Sequence, residues 1–119
     1  MNIADFYKKY NFEDSLLENV IYDENEKKVI LEVDFCYWQQ ENYSDEYEET
    51  GMIKIIFSNV KEFKFIPYAV NSDEIVNVSL NTNNCINIEV YNDVLEEYHN
   101  ILISAESVLM VAENNHKMQ

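Results

Sequence analysis

The chain has 119 residues and a formal net charge of −15, with 23 aspartates and glutamates against eight basic residues, all of them lysine. A surface this acidic repels nucleic-acid phosphates and anionic lipid head groups, so neither a nucleic acid nor a membrane is expected as a partner. The absence of arginine removes the bidentate clamp on phosphate, and one glycine is too few for a glycine-rich phosphate-binding loop.

Composition and length predict one soluble domain over residues 1–119, with a flexible tail over 113–119. Apolar residues make up 47% of the chain, enough for a core. The first residues lack the basic and apolar regions of a signal peptide, and no apolar run approaches the ~20 residues of a membrane span. Cys36 and Cys85 are too few for a disulfide scaffold and have no metal-ligand spacing. We therefore expect a cytoplasmic protein without a cofactor or a metal site.

The first predicted elements are a short helix over 3–10 and a hairpin whose polar turn is centred on residues 25 and 26. From residue 29 to 37 every second side chain is apolar, which is typical of a strand with one buried face. The apolar sets of the two strands share a face only in one register. That register places Val20 opposite Leu31 and Tyr22 opposite Val29.

Two runs with the same alternation follow over 52–57 and 62–66, and Pro67 ends the second because it cannot donate to a strand ladder. Two more strands are predicted near the C-terminus, over 99–106 and 108–111.

A second predicted hairpin, with a loop over 82–84, lies between the run over 62–66 and the strand over 99–106. Its expected register pairs Leu80 with Ile86 and Val78 with Ile88. Because the chain has one glycine, asparagines at segment ends are expected to take the left-handed backbone conformation. These positions are Asn25, Asn59, Asn71 and Asn92-Asp93, in addition to Asn83 and Asn84 in the loop of the second hairpin.

Together the patterns predict an all-β protein with six to eight short strands and a short N-terminal helix. The strands form either an antiparallel sandwich or a barrel, and periodicity does not separate the two.

The densest unusual segment spans residues 41–49 and contains five carboxylates and two tyrosines. Carboxylates attract a cationic surface and large aromatic side chains supply contact area, so the segment suits a basic protein partner. The alternative is a solvated loop whose aromatic rings lie back on the sheet. The segment lacks the pattern and the turn glycine of a calcium-binding loop. The predicted partner-binding residues are Tyr37, Trp38, Glu41, Tyr43, Asp45, Glu46, Tyr47, Glu48 and Glu49.

No catalytic residue is predicted. His99 falls in the apolar register of a strand, where a core or edge histidine is the commoner role. Glu32 and Asp34 share a strand face and form either a carboxylate pair with a perturbed pKa or a solubilising edge. Cys36 is expected on the wetter face of its strand, and Cys85 at a hairpin shoulder, both as thiols without a role.

Several short motifs resemble a protein family. Glu13-Asp14-Ser15 leads into a strand, an acidic hairpin and Val-x-Leu-x-Val-Asp follow, and Gly51-x-Ile53-x-Ile55-x-Phe57-x-Asn59-Val60 precedes a phenylalanine pair. This pattern resembles small acidic uncharacterised all-β bacterial proteins whose N-terminal strand begins with His-Asp-Ser. Some of them resemble the immunity partners of contact-dependent toxins. This chain has Glu13 in place of the histidine, and the resemblance implies no catalytic residue.

The sequence thus favours a non-enzymatic module that binds a basic protein, as an immunity-type inhibitor binds a toxin or nuclease. One alternative is a small-ligand-binding β-barrel with an aromatic-lined mouth. The other is a homo-oligomeric structural protein that pairs through exposed Ile30, Ile56 or Leu109.

Overall fold

The fold is mainly antiparallel β-structure, as predicted, with one short helix at the N-terminus. The computed structural model describes residues 1–41, 43–44 and 49–112. In chain order its elements are α1 (Ile3–Lys9), β1 (Leu16–Asp23), β2 (Lys28–Cys36), a 3-10 turn (Tyr37–Gln39), β3 (Thr50–Lys64), β4 (Asp73–Thr82), β5 (Cys85–Asn92) and β6 (Glu97–Ala112).

The six strands close into a barrel in the order β1-β2-β3-β6-β5-β4. The closing contact between β1 and β4 is short: Leu16 pairs with Glu74 and Leu17 with Asp73. The Ile75 N–H extends it by donating to the Ser15 carbonyl at 2.8 Å. Of the two predicted architectures, the chain adopts the barrel.

Side chains fill the barrel because each strand alternates between an inner and an outer face. On β2, and over residues 53–58 of β3, the inner positions are fully buried and the outer positions are half-buried. Phe35 and Phe57 are the largest of these inner side chains. Strands β5 and β6 contribute further buried aliphatic residues to the interior, which are Ile86, Ile88, Val90, Ile101, Ile103, Ala105 and Val108.

The hairpin registers are confirmed. Val20 pairs with Leu31 and Tyr22 with Val29 in the first hairpin. In the second hairpin Leu80 pairs with Ile86 and Val78 with Ile88. The second loop is shorter than predicted, because β4 continues to Thr82 after an irregularity and leaves residues 83–84 between the strands.

The expectation of uniformly short strands is wrong for β3 and β6, which have 15 and 16 residues. Each joins two runs that the sequence pattern separates. The β3–β6 register shifts between Val60 and Glu62, so the ladder continues through a β-bulge that reverses the apolar alternation.

Only one predicted asparagine takes the left-handed conformation. Asn59 has φ 53°, next to the β3 bulge. Among the described residues, the other non-glycine positive-φ positions are Asp14, Lys27, Ser72 and Glu96. The predictions for Asn25, Asn71, Asn92-Asp93 and the loop asparagines Asn83 and Asn84 are therefore wrong. Asn92 instead uses its side chain, whose Oδ1 accepts the Leu95 N–H at 2.7 Å.

The N-terminal helix α1 packs against the barrel. Asn2 caps it, since its Oδ1 accepts the Asp5 N–H at 2.8 Å. Ile3 and Phe6 are buried in the core, and the Phe6 and Phe57 rings lie 6.3 Å apart, edge to face. Within the described residues no helix combines the length and apolar character needed to cross a bilayer.

Candidate partner-binding surface

The predicted acidic segment leaves β2 through the 3-10 turn and returns to β3. At its base the backbone N–H of Trp38 donates to the backbone carbonyl of Glu49 at 3.2 Å. This bond joins the 3-10 turn that precedes the segment to Glu49, the last residue of the segment. Asp45, Glu46, Tyr47 and Glu48, which belong to the predicted site, lie outside the described residues.

Gln40 ties the start of the segment to the chain just before β1. Its Oε1 accepts the Asn11 N–H at 3.0 Å, and its Nε2 donates to the Asn11 carbonyl at 2.6 Å and to the Cys36 carbonyl at 2.9 Å. Beside it, Gln39 Nε2 donates to Asp14 Oδ2 at 2.9 Å. The two glutamines therefore fix the turn against residues 11–14.

Tyr37 supports this turn from below. It is half-buried, and its ring meets the Phe35 ring edge to face at 5.1 Å. A Cβ atom at Gly51 would lie 2.9 Å from Tyr37 Cε2, so the chain's one glycine leaves room for the ring. Tyr37 is thus packed against the barrel, whereas the sequence placed it among the contact residues.

Trp38 is the aromatic side chain that this turn presents to solvent, with 47% of its surface exposed. Glu41 and Glu49 are exposed on the same segment, and Glu13 and Asp14 on the neighbouring one. Tyr43 is half-buried, and its N–H donates to the Gln40 carbonyl at 3.1 Å. The structure therefore brings an exposed indole together with carboxylates from two chain segments.

Cys36 lies beneath this surface. It is buried, so its expected placement on a wet face is wrong, and its N–H donates to Ser15 Oγ at 3.0 Å. Burial raises the pKa of the Cys36 thiol, although hydrogen bonds with the Ser15 and Trp38 side chains act in the opposite direction. Burial also raises the pKa of the Cys85 thiol. Neither thiol is activated as a nucleophile.

The carboxylates on the outer face of β2, Glu32 and Asp34, do not form the carboxylate pair that was one of the two alternatives. Burial and the charge of Glu18 raise the pKa of Asp34. Glu32 instead accepts a hydrogen bond from Asn19 Nδ2 at 2.9 Å. The like-charged neighbour of Asp34 therefore comes from β1, across the ladder, and not from two residues along its own strand.

A buried polar network at the β1–β4 closure was not predicted. Asp73 is 1% exposed, and its carboxylate accepts hydrogen bonds from the Tyr68 hydroxyl, from Asn92 Nδ2 at 2.9 Å and from the Asn71 N–H at 3.2 Å. Asn92 Nδ2 also donates to the Ala69 carbonyl at 3.1 Å. Burial, followed by the hydrogen bond and charge of Asp73, raises the pKa of Tyr68. The network holds the chain between β3 and β4 against the start of β4.

His99 lies beside this network. Its ring stacks on the Tyr68 ring, with centroids 3.6 Å apart and planes 8° from parallel. Its Nε2 lies 3.3 Å from Glu97 Oε2, within ion-pair distance but outside hydrogen-bond geometry. His99 is thus half-buried against the Tyr68 ring, on β6, where it pairs with Val90 of β5.

A groove of about 400 Å³ lies outside the barrel, between α1 with its following segment and β4. Tyr7, Tyr10 and Phe12 line one wall, and residues 75–78 line the other. Asn11, which Gln40 binds, also lines it, so the groove adjoins the Trp38 turn. Side chains occupy the barrel interior, so this groove, outside the barrel, is the candidate site for a small ligand.

Within ranges 1–41, 43–44 and 49–112, no group of three or more His, Cys, Asp or Glu side chains is arranged to hold a metal ion. No protein-family model, curated protein or solved structure matches the chain. The resemblance to immunity proteins therefore stays a prediction, and the functional argument rests on the geometry above.

Proposed function

We propose that the protein is a non-enzymatic binding module that uses the Trp38 turn and the carboxylates around it to bind a basic protein. The partner class that fits best is a nuclease or another toxin with a cationic active-site cleft, which this surface would cover. A cleft suited to phosphate attracts carboxylates, and opposite charge accelerates association at low salt.

The observation that carries this proposal is an exposed indole on an anchored turn. Gln40 bonds to Asn11 and Cys36, and the backbone N–H of Trp38 donates to the Glu49 carbonyl at the base of the segment. A contact residue that is already fixed loses less conformational entropy on binding than one on a loose loop. Tryptophan is also among the residues that contribute most at protein interfaces, particularly when polar residues surround it.

The test uses purified basic nuclease domains as probes and measures both binding by calorimetry and inhibition of nuclease activity. We expect at least one domain to bind and be inhibited, and Trp38→Ala to weaken that binding by roughly tenfold to a hundredfold. Glu41→Gln with Glu49→Gln should slow association and reduce its salt dependence.

A matched control exists at the far end of β2. Glu24 and Glu26 are exposed in the first hairpin turn, so Glu24→Gln with Glu26→Gln removes the same charge at a distant place. If the two double variants change binding equally, net charge alone attracts the partner and the site assignment fails. If no basic nuclease binds at all, the proposed function is wrong.

A second candidate function, small-ligand binding, is favoured by the groove beside α1. Its volume lies within the range of small-molecule sites, and an aromatic wall is typical of them. The test is an NMR titration with a library of aromatic fragments, followed through the amides of residues 75–78. Saturable shifts there, removed by Tyr10→Ala, would support this function. Shifts spread over the whole barrel would exclude it.

A further inference from the structure

Four aliphatic side chains form a continuous row across the outside of the barrel. Ile21 pairs with Ile30, Ile30 with Ile56, and Ile56 with Leu109, so the row crosses β1, β2, β3 and β6. Ile21 is 40% and Leu109 59% exposed, while Ile30 and Ile56 are half-buried. Side chains that face each other across strands lie about 5 Å apart, so the row is an unbroken apolar strip.

Charged residues flank this apolar row on both sides. One row away toward the Trp38 turn, Glu32 on β2 pairs with Lys54 on β3. One row away in the other direction, Lys28 occupies β2, where it pairs with Asp23. The flanks thus carry both signs of charge in a chain whose net charge is −15.

We propose that this face binds a second copy of the same chain. If the two-fold axis lies between the two faces and runs parallel to the strands, β2 of one copy lies over β3 of the other. Ile30 then lies over Ile56 of the second copy, and Glu32 lies over Lys54, with both contacts repeated by symmetry. A two-fold axis along the row instead places Glu32 over Lys28. Both arrangements bring opposite charges together around an apolar centre.

The size of the face predicts weak association. Four strands about 4.8 Å apart, over roughly five residues of about 3.3 Å, give a footprint on the order of 300 Å². A standard interface buries roughly 800 Å² on each partner. Two copies of charge −15 also repel each other, and added salt screens that repulsion. Dimerisation should therefore need high protein concentration and strengthen with salt.

The test is sedimentation velocity on the full chain at about 0.5 mM, in about 50 mM and about 500 mM sodium chloride. We expect a larger dimer fraction at the higher salt concentration and a monomer for Leu109→Lys. Val94 is also apolar and exposed but lies in the turn before β6, so Val94→Lys is the matched control and should leave dimerisation unchanged.

A charge exchange tests the arrangement itself. If the axis is parallel to the strands, Glu32→Lys and Lys54→Glu should each remove dimerisation, and an equimolar mixture of the two variants should restore it. For the axis along the row, restoration requires the mixture of Glu32→Lys with Lys28→Glu. A chain that stays monomeric at both salt concentrations, a dimer that survives Leu109→Lys, or restoration by neither mixture overturns the proposal.

Discussion

Asp73→Ala should cost more stability than most single substitutions in this chain, because three donors surround the buried carboxylate. The Tyr68 hydroxyl, Asn92 Nδ2 and the Asn71 N–H all lose their acceptor. Each such hydrogen bond contributes about 1–1.5 kcal/mol net, so we expect unfolding to become easier by about 3–4 kcal/mol. Asn92 keeps its bond to the Ala69 carbonyl, which prevents a larger loss.

The measurement is urea denaturation, from which the free energy of unfolding is obtained by linear extrapolation. Asp73→Asn should cost less than Asp73→Ala, because the Tyr68 hydroxyl can turn to accept a bond from the new amide. Asp93, exposed in the turn after β5, provides the control: Asp93→Ala should change stability by less than about 0.5 kcal/mol. If Asp73→Ala costs no more than Asp93→Ala, the carboxylate does not hold the closure together.

Two further predictions concern single side chains. The folded state raises the pKa of Tyr68, so its neutral form stabilises the fold at low pH; this stability is lost as pH rises above the ordinary tyrosine pKa of about 10. Urea denaturation of Tyr68→Phe should therefore show a weaker loss of stability above about pH 10 than the parent, and equal slopes would contradict this. Gly51→Ala should cost about 1–2 kcal/mol in thermal denaturation, since its Cβ meets the Tyr37 ring. In a Tyr37→Ala background the same change should become neutral or stabilising, and an unchanged cost would mean that the ring is not the obstacle.

The hairpins could be predicted because their information is local. Alternation identifies the buried face, and the number of loop residues then permits one register, as for Val20 with Leu31. Closure of the barrel has no such signal. It depends on Leu16 and Leu17 meeting Glu74 and Asp73, residues far apart in the chain whose pairing leaves no periodic trace.

The sequence pattern divides each of β3 and β6 into two predicted strands, because the alternation of buried and exposed residues changes phase within each strand. On β3, Phe57 and Val60 are both buried although three positions separate them, and a strict period of two cannot place both inside. The left-handed residue Asn59 lies between them, and the opposite strand changes phase at the same place, since Val108 and Ala105 are also both buried. A β-bulge then shifts the β3–β6 register between Val60 and Glu62. A bulge of this kind is read from a partner strand, which the sequence alone does not identify.

Composition indicates where the candidate surface lies along the chain, but it does not indicate which residues hold that surface in place. The density of carboxylates indicated the segment, whereas the residues that hold its base are Gln39 and Gln40. Two adjacent glutamines shortly after a strand are a usable signal, since each carries both a donor and an acceptor on a long side chain. The partner of Gln40, Asn11, is 29 residues away, and the partner of Gln39, Asp14, is 25 residues away, and no spacing rule connects them.

The two proposed surfaces lie on different parts of the barrel and should respond to salt in opposite ways. Binding of a basic nuclease through Trp38 depends on attraction between unlike charges, so it should weaken from about 50 mM to about 500 mM salt. Dimerisation through the Ile30–Ile56 face opposes repulsion between two acidic copies, so it should strengthen over the same range. Leu109→Lys should remove dimerisation and its salt dependence but leave nuclease binding unchanged. Trp38→Ala should weaken nuclease binding but leave dimerisation unchanged. A single substitution that leaves the chain folded but removes both responses would mean that the two surfaces overlap.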